Sequence, residues 1–458
     1  MYPEKFIERI IHQEYIDSES LLKALGEPSP VSIRTNHFKW NRIPEGNDPV
    51  PWCNAGFYLK ARPSFTLDPL FHAGCYYPQE ASGMFLEQVF RQVSDGQKDL
   101  RILDLCGAPG GKSTHLSALI GNDAFLVANE VIRSRASVLA ENLTKWGLSN
   151  AIVTQSDPSA FSRLPGFFDI MLIDAPCSGE GMFRDQVAVD EWSVDNTLLC
   201  CERQKRILYD SWPALKEDGI LIYSTCTFNP DENENNIKWL ISKGEAKSVK
   251  LDISGYEGIT EIDHQGIYGY GFYPGKIRGE GLFMSVIRKK VKSGKQELRK
   301  PKSRFNSPGK DEMKAALGLS SFNADRLLMI NNEIVALPCD TNDYSVISDV
   351  LRIVKTGTAV CTLKRNIIPS QELALSVFLR DSVFFTLNLE YADAIKYLRR
   401  DTIKAAGTRR GWQIASYEGV NLGFVNNLGN RLNNYYPVDW RIRMSVMDRT
   451  TKQIKWEQ

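Results

Sequence analysis

The strongest constraint on this chain is an alternation between residues 101 and 289. Six apolar runs occur there: RILDLC (101–106), AFLVANE (124–130), NAIVTQSD (150–157), FFDIMLIDAP (167–176), GILIYSTC (219–226) and GLFMSVIRK (281–289). Segments of helical character separate them, among them GKSTHLSALI and SRASVLAENLTKWG. Strands that are apolar throughout are buried on both faces, and intervening helices supply the cover. The pattern predicts an α/β domain with a doubly wound, Rossmann-like, mostly parallel sheet. Ligands of such a sheet sit at the carboxyl ends of its strands.

The full chain of 458 residues has room for about three domains. Changes of texture divide it into an N-terminal α+β extension (1–70), the alternating domain (71–290), a basic linker (291–310), a connecting α+β domain (311–380) and a β-rich end (381–458). The stretch 288–310 holds ten Lys/Arg against the single Glu297. It reads as a solvated linker or as a phosphate-contacting arm, and composition does not separate the two. The end of the chain interleaves Arg, Tyr and Trp with Asn/Gly turns, a composition suited to RNA contact.

No apolar run reaches the ~18 residues of a membrane span, and MYPEKFIERIIHQEY lacks a signal peptide's apolar core. A soluble, cytoplasmic protein is expected. The nine cysteines form no Cys-x-x-Cys pair and the chain has five histidines, so no metal site is expected and the thiols are read as reduced. His72 and His115 are read as structural or solvent-facing. A net charge of +1 neither demands nor excludes nucleic acid.

The turn Cys106-Gly-Ala-Pro-Gly-Gly-Lys112 has the look of a phosphate loop but fails as one. The first glycine of a Walker motif falls at Cys106, and Pro109 removes an N–H from a loop that would aim N–H groups at phosphates. It retains the features of a ligand turn: Asp104 ends a strand, small residues follow, and a helix begins. Glu130 ends the next strand, placed to accept hydrogen bonds from ribose hydroxyls. Asp157 ends the third, placed for an adenine amino group. Adenosine without phosphates suggests S-adenosylmethionine. Helix capping is the alternative use of such acids.

Two cysteines leave the sheet at the same edge, in Asp174-Ala-Pro-Cys177-Ser-Gly and in Ser224-Thr-Cys226-Thr. Methylation of pyrimidine carbon 5 has a use for such a residue. A thiolate adding to carbon 6 makes carbon 5 enamine-like, and loss of the carbon-5 proton later expels the thiolate. The reaction also needs an acid at the base and a group that helps release. No His adjoins Cys226, so its activation is assigned to the fold, to Lys112 or to a sulfonium.

Together with Asp104-Leu-Cys-Gly-Ala-Pro-Gly-Gly-Lys112, these motifs resemble the RNA cytosine-5 methyltransferases of the Sun/nucleolar-protein family. Ser32-Ile-Arg-Thr-Asn36, Tyr76-Tyr-Pro-Gln-Glu80-Ala-Ser82 and Arg278-Gly-Glu-Gly-Leu-Phe283 are similar to further signatures of that family. Pro369-Ser-Gln-Glu-Leu-Ala-Leu375 and the basic β-rich end are similar to its bacterial RsmF-type branch, which acts on 16S ribosomal RNA and ends in a PUA-like RNA-binding domain. The resemblance implies an RNA-binding role for 1–70 and for 381–458, a methyltransferase domain at 71–290, and S-adenosylmethionine as cofactor. It implies Cys226 as nucleophile, Cys177 as the cysteine of product release and Asp174 as the acid at the target base and cofactor. It assigns Cys106, Gly107, Ala108, Pro109, Gly110, Gly111 and Lys112, with Glu130, Asp157 and Asp174, to the cofactor. Gly107 and Ser113 depart from a usual Ala and Thr, Asp185 stands where Lys is common, and Gly271 replaces a usual Arg.

The expected partner is ribosomal RNA, free or in the small subunit, bound by a monomer with no membrane. Methylation of transfer RNA, a non-catalytic assembly factor and DNA methylation are the competing readings. Arg34, Arg184 and the 288–310 run are the candidate phosphate contacts.

Overall fold

A computed structural model describes residues 2–290, 305–364, 366–403, 409–444 and 453–457. Most of the basic segment 291–310 therefore lies outside the described residues. Of its flank, Lys289 is buried, and its Nζ donates to the carbonyls of Trp212 (2.9 Å) and Leu215 (2.7 Å), which rules that side chain out as a phosphate contact.

The expected doubly wound sheet is present. Five parallel strands form its centre, in the spatial order Ala151–Thr154, Phe125–Asn129, Arg101–Asp104, Phe168–Asp174 and Leu215–Thr225. Leu282–Lys289 pairs antiparallel with Leu215–Thr225, and the hairpin Thr260–His264/Ile267–Phe272 extends that edge. Successive side chains of a strand point to opposite faces, and here both faces are apolar. Ile102, Leu126, Val153, Leu172 and Ile222 pack on one side beneath the helices Gly111–Ile120 and Arg133–Trp146. Leu103, Val127, Ile152, Met171 and Leu221 pack on the other beneath Val194–Ser211 and Glu234–Ser242. Each such buried aliphatic side chain contributes about 1.5–3 kcal/mol.

Around this core the segments interlock. The N-terminal helices Glu4–Ile11 and Ser18–Leu25 precede a three-stranded antiparallel sheet ordered Gly56–Leu59, Val31–Thr35, Tyr76–Pro78. That sheet runs across the expected division at residue 70. In the 311–380 segment, four antiparallel strands (Leu327–Ile330, Glu333–Ala336, Thr358–Leu363, Ile367–Pro369) form a separate small sheet. Its remaining strand, Ile353–Thr356, joins the large sheet antiparallel to Ala151–Thr154. The β-rich end forms a further four-stranded sheet with the helix Tyr391–Arg399. Its Leu398, Tyr436 and Ile442 share a core with Ile33, Trp40 and Tyr76 of the N-terminal extension.

Candidate active site

The spatial order of the strands reverses between Arg101–Asp104 and Phe168–Asp174, and at that point an open α/β sheet leaves a crevice. A cavity of about 580 Å³ lies there, lined by Asp104, Cys106–Pro109, Gly111, Lys112, Asp174, Cys226 and Glu280, with Arg62, Phe65 and Tyr77 from the N-terminal extension.

The turn after Asp104 is fixed from several sides. Gly107 N donates to Asn129 O (2.8 Å), Arg135 Nη2 to Ala108 O (2.8 Å) and Asn142 Nδ2 to Pro109 O (2.7 Å). The Ala108–Pro109 bond is cis, and Gly110 at φ 120° turns the chain into the helix Gly111–Ile120. A Cβ on Gly107 would stand 2.6 Å from Ser113 Oγ and 3.2 Å from Asp104 Oδ2, so the glycine is required while Ser113 donates to Asp104 (2.6 Å).

Asp104 is fully buried, and its Oδ1 accepts no hydrogen bond. Burial pushes its carboxyl up to about 7, against the hydrogen bond from Ser113. Asp174 lies across the switch point. Its Oδ1 accepts from Ser224 Oγ (2.6 Å), and its Oδ2 pairs with Lys112 Nζ (2.7 Å). Burial works against the Lys112 charge, but the Asp174 carboxylate, with Cys226 and Asp104, holds its pKa above the ordinary lysine value. Lys112 therefore remains an ammonium beside the reactive edge.

The two cysteines expected at one edge of the sheet are in contact there. Cys177 Sγ and Cys226 Sγ are 3.1 Å apart, and the Cys226 backbone N–H donates to Cys177 Sγ at 3.3 Å. The neighbouring Cys226 sulfur, together with burial, pushes the Cys177 thiol well up, so Cys177 keeps its proton. Burial also pushes the Cys106 thiol up, which leaves it a neutral wall of the cavity.

The loops bearing these cysteines are tied by residues that sequence reasoning missed. Glu232, fully buried, accepts from Ser178 N (2.9 Å), Ser178 Oγ (2.5 Å) and Gln204 Nε2 (3.0 Å). Glu180, also fully buried, accepts from Arg9 Nη2 (2.5 Å), Trp192 Nε1 (2.9 Å) and Phe228 N (3.2 Å). Gln13 Nε2 donates to Phe228 O (2.8 Å). The N-terminal helix and the turn after it thus clasp the segments that follow both cysteines. The only sequence signal was the acidic position three residues after Cys177, since nothing local pairs it with Arg9.

Other predicted residues fall elsewhere. Glu130 is buried at the end of its strand, where Oε1 accepts from Ile132 N (3.0 Å) and Oε2 faces Arg135 (3.5 Å). Asp157 is exposed and caps the turn that follows, accepting from Ser159 N (3.0 Å) and Oγ (2.7 Å). Neither lines the cavity. Arg34 is no phosphate contact: it is 1% exposed, stacks on Trp146 at 4.3 Å and donates to Gln79 Oε1 (2.8 Å) and Thr114 Oγ1 (2.7 Å). Arg184 is also largely buried, donating to the carbonyls of Ala24 and Gly279 (both 3.0 Å). His72 and His115 are buried, and burial pulls their pKa values down to about 3 and about 4. His115 sits with Cys53 and Glu87, ligand atoms within 4.8 Å of one another. Glu87 there already accepts from Asn54 N (3.4 Å) and pairs with Arg91 (2.7 Å), which accounts for the cluster as a buried polar contact. No helix among the described residues is long and apolar enough to cross a membrane.

Comparison with known proteins agrees with this architecture along the chain. Residues 92–288 match the family model of the 16S rRNA methyltransferase RsmB/F, residues 2–81 that of the N-terminal domain of 16S rRNA methyltransferase RsmF, and residues 384–442 that of the methyltransferase RsmF PUA domain. The ribosomal RNA small subunit methyltransferase F of Aliivibrio salmonicida is 30% identical over 468 residues, covering 95% of this chain and 96% of the relative. That of Klebsiella pneumoniae is 29% identical over 464 residues, with the same shares. Among solved structures, a methyltransferase homolog from Pyrococcus horikoshii is 28% identical, with a TM-score of 0.53 over 63% of this chain and 96% of its own. NSun6 from the same organism, solved with SFG, shares the fold at 20% identity and a TM-score of 0.51, over 63% of this chain and 98% of its own.

Proposed function

The chain belongs to the 16S rRNA methyltransferase RsmB/F family, and from that membership we propose that it methylates carbon 5 of a cytosine in small-subunit ribosomal RNA, with S-adenosylmethionine as donor. The observation that carries the chemistry is the Cys226 thiol, which lines the cavity with Lys112 and Asp174 and has Cys177 Sγ 3.1 Å behind it.

The residues present fit the cofactor. The fully buried Asp104 lines the cavity with one oxygen unsatisfied, a partner for a cationic ligand. The loop Cys106–Lys112 would hold the cofactor, with Glu130 and Asp157 towards its nucleoside, and Asp174 would face both cofactor and base. When bound, the cofactor supplies the electrophilic methyl group that carbon 5 takes up. In this reading Cys226 forms the bond to carbon 6 of the base. Asp174 and Lys112 hold the ring at N3 and its neighbouring polar edge. In the release step the carbon-5 proton passes to water, the carbon-5–carbon-6 double bond re-forms and Cys226 leaves as a thiolate, which Cys177, keeping its proton 3.1 Å away, stabilises as a hydrogen-bond donor.

The direct test is to incubate the protein and labelled cofactor with RNA from a strain lacking it, and to map 5-methylcytosine. Label in 16S RNA is expected. Absence of label from every RNA overturns the reading, and label confined to transfer RNA moves the substrate.

Asp104 gives a separate prediction. A cation bound beside the ionised carboxylate lowers its pKa, so binding favours the form present above about pH 7. Cofactor affinity measured by calorimetry should rise about tenfold from pH 6 to pH 8. Asp104→Asn should flatten that profile; an unchanged profile in the variant would remove Asp104 from the site. The stability sign is opposite in the ligand-free protein. Its folded pKa lies above the ordinary 3.8, so the stability this group contributes is present below about pH 4 and is lost as pH rises through about 7.

A further inference from the structure

Glu280 lies in the Arg278–Phe283 segment and lines the cavity with Cys226, Asp174 and Lys112. Its carboxylate is buried, and neither oxygen accepts a hydrogen bond. Arg184 Nη1, 3.1 Å from Oε2, offers it a charge partner without hydrogen-bond geometry. A buried carboxylate left without donors is costly, and in native proteins it calls for an explanation.

The backbone holds this residue firmly beside the nucleophile's loop. Glu280 N donates to Glu80 Oε1 (2.8 Å) and Ser82 Oγ donates to Glu280 O (2.8 Å). The next residue, Gly281, donates to Gly181 O (3.1 Å), and Gly181 N donates to Cys226 O (2.9 Å). A Cβ on Gly281 would stand 2.4 Å from Gly181 Cα, so the two loops touch backbone to backbone. Glu280 is therefore placed, and its side chain is not simply tucked away.

The other carboxylates around the cavity are already engaged. Glu80 takes backbone N–H groups on both oxygens, from Ser82 and Glu280 on Oε1 and from Gly83 on Oε2. Asp174 is held by Ser224 and Lys112. Asp185 accepts from Val187 N. Asp104 has one open oxygen, at the foot of the loop assigned to the cofactor. Glu280 alone among these five offers two oxygens without a hydrogen-bond donor.

A cytosine presents a donor at exactly one ring position, its exocyclic amine, where uracil presents an acceptor. We propose that Glu280 accepts the hydrogen bond of the target cytosine's exocyclic amine and so selects cytosine over uracil. This rests on the cytosine-5 reading above. Arg184 lies 3.1 Å from the carboxylate and leaves its lone pairs to the base.

The test uses the full chain and two RNAs, one with cytosine at the mapped target and one with 2-pyrimidinone there, which lacks the amine. Methyl transfer from labelled cofactor to each RNA is timed under single-turnover conditions. Glu280→Ala should slow the reaction on cytosine about 10²-fold and leave the 2-pyrimidinone rate within about twofold. Glu280→Gln, which keeps an acceptor oxygen, should lose about tenfold on cytosine and serves as the second variant should the alanine chain fail to fold. Equal losses on both RNAs, or no loss on cytosine, overturn the proposal. A wild-type protein that modifies neither RNA overturns the cytosine-5 reading itself.

Discussion

Replacing Cys226 by Ala should abolish methyl transfer, with a loss of at least about 10³-fold, and should leave no covalent RNA adduct. Replacing Cys177 by Ala should instead leave an RNA–protein adduct that survives denaturation. The contrast follows from the geometry of the pair. Cys226 lines the cavity beside the Lys112 ammonium, whereas Cys177 stands behind it, 3.1 Å away, with its thiol pushed well up. A thiol that holds its proton is a poor nucleophile, but it can donate a hydrogen bond to the Cys226 thiolate that leaves carbon 6. The readout is gel mobility of the denatured complex with labelled RNA. An adduct formed by the Cys226 variant and not by the Cys177 variant would reverse the two roles.

The second large effect concerns stability. Arg34→Ala should destabilise the protein by on the order of 3 kcal/mol, a fall of roughly 5–10 °C in melting temperature, and should leave the salt dependence of RNA binding unchanged. The guanidinium bridges the N-terminal sheet to the helix that begins at Gly111, through Gln79 and Thr114, and lies over Trp146. Its loss leaves buried hydrogen-bonding groups unpaired and a void beside the indole. A phosphate-contacting arginine would behave in the opposite way, lowering the salt slope by about one charge with little change in melting temperature. Thermal melts and salt titrations on the same variant separate these.

Arg34 shows where the sequence ran out. A lone arginine in SIRTN carries no sign of burial, because its partners Gln79, Thr114 and Trp146 are brought by three other elements. The reach of Arg9 to Glu180, and of Glu232 to Ser178, was hidden for the same reason. The sheet was legible because its strands are apolar on both faces, a property each strand carries alone. The shared edge of Cys177 and Cys226 was legible because both follow strands that end there; their 3.1 Å contact was not. Asp157 was ambiguous between ligand and cap, and its carboxylate caps the turn that follows it.

The strand Ile353–Thr356 has a consequence for how the chain can be divided. It runs antiparallel along Ala151–Thr154, and Gln155 N and Arg352 O continue the ladder at 2.8 Å. Without it, Ala151–Thr154, buried along its whole length, would become a naked border of the sheet. Such a border offers unpaired N–H and C=O groups to any other chain and invites self-association. The residues beyond the basic segment are thus more than an appendage for RNA: they seal the catalytic sheet, and a chain cut at Lys290 would lose its solubility guard together with its C-terminal modules.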